Sequence, residues 1–161
     1  MNPVARQRDN TEPLLLPPRE APYLLTDVLE KRVRGCRDEL VLCLGDSHLR
    51  FVVDNETDTI MSEFKPSPFR ATKGYTSILA AAPWMQNAGR ECGSTWFGWN
   101  QQGYLDMVVL SFDGMEPSVL LQTTASSIEV FTVSRTDGSD KVSVNQRITN
   151  SDHEFLLGRR P

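Results

Sequence analysis

The stretch LVLCLGDSHLRFVVDNETDTIMSEF, residues 40–64, decides the fold of this chain. It contains three short runs rich in large apolar and β-branched side chains, at 40–44, 49–53 and 59–64. The residues between these runs include Gly, Asn, Asp and Ser, which tolerate the backbone angles of tight turns. The pattern therefore predicts three strands of an antiparallel meander.

Further strands are predicted downstream of the meander. The turn sequence NQQG separates two apolar runs that alternate with polar residues, and DGMEP precedes two more. Hairpins are typical of such spacing. The predicted strands are 95–99, 104–112, 119–123 and 128–133.

The segment before the meander, residues 24–34, can be interpreted in two ways. Leu25, Val28, Leu29 and Val33 follow helical spacing. A turn at residues 38–39 would instead make 28–33 a strand. The sequence leaves both alternatives open.

One compact helix is predicted at residues 76–82, TSILAAA, with Thr76 or Ser77 as its N-cap and Pro83 as its end. Strands that outnumber helices at this spacing indicate an α+β domain. We expect a mostly antiparallel sheet of about five to seven strands with one or two short helices.

The length of 161 residues favours a single domain. Residues 1–22 contain five prolines and predict a flexible leader, whose apolar run 14–16 could dock on the domain. The single α+β domain is expected at 23–133. A loosely ordered tail is expected at 134–161, where Val142, Val144 and Ile148 suggest one further strand.

Composition excludes several classes of function. Seventeen Lys and Arg against twenty-one Asp and Glu give a net charge of −4, which argues against a nucleic-acid surface. No apolar run approaches the roughly 18 residues of a membrane span. Three cysteines do not form a disulfide framework, so we expect a cytoplasmic protein.

The string LGDSH at 44–48 resembles the nucleophile block of the GDSL, or SGNH, hydrolases. That resemblance implies Ser47 as nucleophile, with Asp152 and His153 as candidate partners. Asp152 and His153 are adjacent, whereas the family separates its Asp and His by two residues. The family also places a helix after the serine, where this chain alternates like a strand. A Gly-Asp-Ser turn without catalysis is therefore the main interpretation, and an esterase using Ser47 is the alternative.

Neither a metal nor a cofactor is expected. The soft metal ligands lack the paired spacing of a zinc site; they are Cys36, Cys43, Cys92, His48 and His153. No glycine-rich phosphate loop precedes a helix.

Negative charge is concentrated in the meander. Residues 38–63 contain seven acids and one base, Arg50, for a net charge of −6. These acids are either the solvated side chains of ordinary turns or an acidic surface that attracts and orients a basic partner. The candidate electrostatic contacts are Asp46, Asp54, Glu56 and Asp58.

The sequence WFGWNQQGYLD at 96–106 holds the densest group of large side chains. Strand alternation places Trp96 and Phe97 on opposite faces, so one face belongs to the core and the other is either exposed to a partner or covered by the helix and the chain ends. The candidate contacts are Trp96, Trp99, Asn100 and Tyr104. A small-ligand pocket near 96–106 is a further alternative.

Three groups of residues resemble small bacterial domains of uncharacterised function, some of them suspected immunity partners of toxins. The groups are the meander with its Asp54-x-x-x-Asp58-Thr59-Ile60, the string Trp99-Asn100-x-x-Gly103-Tyr104-x-Asp106, and Ser126-Ser127-Ile128. The resemblance covers about residues 28–133. It implies a cytosolic protein without catalysis that sequesters a cognate toxin domain by blocking its active site. Together with the acidic meander, this favours an immunity protein that binds and neutralises a basic, nuclease-type toxin domain.

Overall fold

A computed structural model describes residues 16–18, 20–135, 141–145 and 153–156. These residues form eleven strands and one three-residue 3-10 helix, Met85–Asn87. The strands are β1 Leu25–Val33, β2 Cys36–Leu44, β3 Ser47–Asp54, β4 Thr59–Lys65, β5 Tyr75–Ser77, β6 Cys92–Trp99, β7 Leu105–Phe112, β8 Pro117–Thr124, β9 Ser127–Arg135, β10 Lys141–Asn145 and β11 His153–Leu156.

The strands form two antiparallel sheets that pack against each other. The first sheet has the order β4-β3-β2-β1-β5 and the second the order β11-β10-β9-β8-β7-β6. Strand β2 contacts β9 across the interface, and β4 contacts β7 and β8. The meander predicted from residues 40–64 is confirmed as β2, β3 and β4, and the predicted hairpins are β6–β7 and β8–β9.

The predicted α+β class is wrong, because the described residues are almost entirely β structure. At the predicted helix, Thr76 and Ser77 belong to β5 and pair with Glu30 and Leu29 of β1. The amide of Ile78 then donates to the carbonyl of Val28 at 2.8 Å. A seven-residue helix is too short to be stable alone, whereas pairing here satisfies the exposed edge of β1.

The ambiguous segment is strand β1, and a bulge explains its helical spacing. Leu25 pairs with Leu44 but Asp27 pairs with Cys43, so one extra residue lies in β1 between them. Leu25 and Val28 therefore both face the core although they are three residues apart. The turn that follows is at residues 34–35, where Arg34 and Gly35 have φ values of 51° and 85°. It is not at 38–39.

The main core lies between the two sheets. Alternate side chains of β2 and β3, such as Leu42 and Phe51, meet Leu110, Leu121 and Ile128 of the second sheet. A smaller buried cluster lies on the opposite face of β8 and β9 and contains Leu120, Phe131 and Val133. The second sheet is therefore apolar on both faces.

The predicted leader and tail lie mostly outside the described residues. Leu16 packs against the main core, and the hydroxyl of Tyr23 donates to the carbonyl of Pro17 at 2.8 Å. Val142 and Val144 lie in β10, as predicted for a further strand, whereas Ile148 lies outside the described residues.

Candidate functional site

Two segments that are distant in sequence meet at one end of the sandwich. The hydroxyl of Thr123 donates to the carbonyl of Asp58, and its oxygen lies 3.4 Å from the carbonyl oxygen of Asp106. Asp58 ends the β3–β4 turn, and Asp106 follows the β6–β7 turn. We call this end, formed by residues 54–58 and 99–106, the acidic–aromatic end.

Asp58 fastens the first sheet to the second. One carboxylate oxygen of Asp58 accepts hydrogen bonds from the amide of Ser126 at 2.8 Å and from its hydroxyl at 3.2 Å. The backbone of Asp58 has a φ of 53°, a left-handed conformation that Asp adopts more readily than most residues. Asp58 is therefore a structural residue of this end, and its carboxylate is already engaged.

Asp54 also shapes the turn. Its carboxylate accepts hydrogen bonds from the amide of Glu56 at 3.0 Å and from the hydroxyl of Thr57 at 2.8 Å. Glu56 is exposed, and its carboxylate accepts no hydrogen bond from the described part of the chain. Glu56 is consequently the acid of the turn that is most available to a partner.

The acidic–aromatic end carries negative charge without a paired cation. Within the described residues, no Lys or Arg lies within 4.0 Å of the carboxylates of Asp54, Glu56, Asp58 or Asp106. Burial raises the pKa of Asp106. An additional cation supplied by a partner would favour the charged form of that carboxyl.

Elsewhere in the meander, the acids are neutralised on the outer face of the first sheet. Glu39 is buried and contacts Arg50 at 2.7 Å and Lys31 at 3.5 Å, while Tyr75 donates to it at 2.5 Å. Burial alone raises the pKa of Glu39, but the hydrogen bonds from Tyr75 and Arg50, together with the positive charges of Arg50 and Lys31, outweigh it and lower the pKa. Glu63 contacts Arg50 too, at 3.8 Å. The net charge of the meander thus overstates the charge that a partner would meet.

The aromatic part of the end is formed by Trp99 and Tyr104. They are 49% and 42% exposed. Asn100 shapes the turn between them, because its side-chain oxygen accepts hydrogen bonds from the amides of Gln102 and Tyr104 at 3.0 and 3.1 Å. The Trp99 ring lies 6.2 Å, centroid to centroid, from Phe97, which packs against the main core. Trp99 therefore combines an exposed face with a fixed neighbour.

Two of the predicted contact residues lie elsewhere. Asp46 is in the β2–β3 turn, at the opposite end of the eight-residue strand β3, roughly 25 Å from Asp54. Trp96 pairs with Val109, on the face of the second sheet that carries the smaller cluster, and is half-buried. The fold thus brings together six of the eight predicted residues.

The geometry around Ser47 does not supply an imidazole base from the neighbouring residue. Ser47 and His48 are consecutive in β3, so their side chains point to opposite faces. His48 Nδ1 lies 2.7 Å from the carbonyl of Ser67 and donates to it, and the ring packs on Phe69. The side chain of His153 lies outside the described residues. As the sequence predicted, a strand follows Ser47 rather than a helix.

Sequence reasoning missed three residues of the site: Asp106, Thr123 and Ser126. Thr123 lies near the end of β8 and Ser126 in the turn that follows, where a hydroxyl side chain is too common to attract notice. Ser126 and Asp106 belong to the strings that carry the resemblance, and this was the available signal.

The described residues contain no group of three or more His, Cys, Asp or Glu side chains arranged to hold a metal ion. Nor do they include a helix with the length and apolar character needed to span a membrane.

Residues 23–137 match the model of DUF6334, a family of unknown function, and the chain belongs to that family. Searches of curated proteins and of solved structures each found no significant match.

Proposed function

We propose that this member of the DUF6334 family is a binding protein rather than an enzyme, and that its acidic–aromatic end binds a basic protein partner. In its most concrete form, the proposal is a cytoplasmic immunity protein that neutralises a nuclease-type bacterial toxin. The observation that carries it is the Thr123 hydroxyl between the carbonyls of Asp58 and Asp106, which brings the acidic β3–β4 turn close to the β6–β7 hairpin that carries Trp99 and Tyr104.

Charge supports a basic partner. The surface of a nuclease is positive where it binds phosphate, and carboxylates on an inhibitor complement that surface. Glu56 is exposed, and Asp54, Asp58 and Asp106 add charge that no described cation neutralises. Such an arrangement increases the association rate more than it increases affinity.

The aromatic side chains support a protein partner rather than a free ion. Trp and Tyr are enriched among residues that contribute most to protein interfaces. Trp99 already packs against Phe97, so burying its exposed face would require little further ordering.

A first experiment tests the biological role. Proteins encoded beside this chain's gene are expressed in a heterologous bacterial host, with and without the chain. The proposal expects one neighbour to be toxic alone and harmless in the presence of the chain. If no neighbour is toxic, or if the chain does not relieve toxicity, the immunity role is wrong.

A second experiment tests the surface, using the partner found in the first. Glu56→Lys should slow association at least about threefold at low ionic strength. Most of that difference should vanish in 1 M salt, where the screening length is about 3 Å. Glu91→Lys is the matched control, because Glu91 is exposed and precedes β6 at the end opposite Trp99. Equal association rates for the two variants would contradict the assignment of this end.

Trp99→Ala should act differently. Removal of an interface anchor increases the dissociation rate and costs about 2 kcal/mol or more of binding free energy. Stopped-flow fluorescence separates the two rates. A variant that dissociates at the wild-type rate would exclude Trp99 as the anchor.

A further inference from the structure

A cleft lies between the two sheets. It is on the side of the β8–β9 turn that faces away from the acidic–aromatic end. Its volume is ≈ 710 Å³, within the range of small-molecule sites. Three segments surround it: the β1–β2 hairpin, residues 78–84 and the β8–β9 hairpin. This cleft is separate from the predicted ligand pocket near 96–106.

One wall of the cleft is apolar. Ile78, Ala82 and Val130 are only partly buried and line the cleft, and Trp84 is fully buried behind them. Ile78 is held in place by its amide, which donates to the carbonyl of Val28. This wall offers a short hydrocarbon chain a surface that does not have to be rearranged.

The other wall contains three ionic side chains, Glu30, Arg32 and Arg37, of which Arg32 is half-exposed. The carboxylate of Glu30 accepts hydrogen bonds from Arg37 Nε at 2.7 Å and from Arg32 Nε at 2.8 Å. The side chains of Glu30 and Arg37 are only 12% and 14% exposed. One terminal nitrogen of each arginine is also engaged, by the carbonyl of Ile128 for Arg37 and of Gly35 for Arg32.

The second terminal nitrogen of each guanidinium has no acceptor among the described residues. Neither atom is sealed from solvent: the Arg32 side chain is 49% exposed, and among the described residues that are not exposed, Arg37 included, no buried side-chain nitrogen lacks a partner. Two guanidinium groups share the carboxylate of Glu30, so these three side chains carry a surplus of one positive charge, which Glu129 in the lining of the same cleft offsets. Arginine donors of this kind bind carboxylates more strongly than they bind neutral oxygens.

We propose that the cleft binds a small amphipathic carboxylate, with its charged head at Arg32 and Arg37 and its hydrocarbon chain against the apolar wall. Glu129 lines the same cleft and repels such a head, so it limits the affinity. Binding here is independent of the acidic–aromatic end.

The test titrates the purified protein with octanoate, octanol and octylamine, and follows backbone amide resonances by NMR. The amides of Gly35 and Ala82 report on the two walls. Octanoate should bind at least about tenfold more tightly than octanol, and octylamine more weakly than octanol. Equal affinities for octanoate and octanol would overturn the proposal, as would the absence of shifts at Gly35 and Ala82.

Three variants assign the contacts. Arg32→Gln should lower octanoate affinity to that of octanol, and Ala82→Leu should weaken both ligands by filling the cleft. Glu129→Gln should raise octanoate affinity about twofold to threefold without changing octanol. Arg70→Gln removes the same charge from an exposed residue outside the cleft and should change nothing. If Arg32→Gln retains wild-type affinity for octanoate, or if Glu129→Gln does not raise it, the arginine assignment is wrong.

Discussion

Substitution of Asp58 should show that one turn residue fastens the two sheets together. Asp58→Ala removes the acceptor of the Ser126 amide and hydroxyl. A hydrogen bond to a charged group contributes about 1.5–3 kcal/mol, and we expect the lower part of that range because Asp58 is only partly buried.

The backbone adds a second cost. Asp58 has a φ of 53°, and an alanine in the left-handed region is less stable by about 1–2 kcal/mol. The two contributions together predict that Asp58→Ala lowers the free energy of unfolding by about 3 kcal/mol. Glycine accepts a positive φ, so Asp58→Gly should cost only about 2 kcal/mol. Asp58→Asn retains an acceptor oxygen and should cost less than about 1 kcal/mol.

Urea unfolding followed by tryptophan fluorescence measures these differences, provided that the denaturant slope is unchanged. Glu56→Ala is the control, because it alters an exposed side chain of the same turn and should stay within about 0.5 kcal/mol of wild type. The reasoning is refuted if Asp58→Ala is as stable as this control. If Asp58→Gly and Asp58→Ala are equally stable, the backbone contribution is absent.

Two further predictions concern acid stability and thiol chemistry. Against the effect of burial, hydrogen bonds and the neighbouring positive charges hold the pKa of Glu39 below its ordinary value of 4.5, so its contribution to stability is complete above that pH and is lost as pH falls towards the lower folded-state pKa. Glu39→Gln should reduce the fall in urea midpoint between about pH 6 and pH 3, and an unchanged fall would contradict this role. Burial raises the pKa of the half-buried Cys43 to about 11 and that of the buried Cys92 to about 12, whereas Cys36 is exposed. A thiol reagent at neutral pH should therefore modify Cys36 quickly, Cys43 more slowly and Cys92 only on unfolding, and rapid modification of all three would contradict the raised pKa values of Cys43 and Cys92.

The order of strands along the chain could be predicted because it depends on local patterns. Alternation in 49–53 places Leu49, Phe51 and Val53 on one face of the strand, and that face is buried. Gly45 and Gly103 mark turns, and both have positive φ. These features involve residues that are close in sequence.

The missing helix and the structure of β1 depended on distant partners. Residues 76–82 have helix-forming composition, but Thr76 and Ser77 pair with the free edge of β1 instead. The helical spacing of Leu25 and Val28 comes from a bulge, which is visible only once the register with β2 is known. A local pattern cannot distinguish a bulged strand from a helix, since both place residues three apart on one face.

The candidate site shows most clearly which features depend on the sequence and which depend on the tertiary structure. The sequence alone determined which residues are acidic or aromatic, and these include Glu56 and Trp99. Only the tertiary structure decided that Glu56 and Trp99 lie at the same end of the sandwich. Their proximity depends on how the first sheet packs against the second and on the contact of Thr123 with Asp58. Charge is a property of each residue, whereas the neutralisation of Glu39 by Arg50 requires that β2 and β3 be paired in one register.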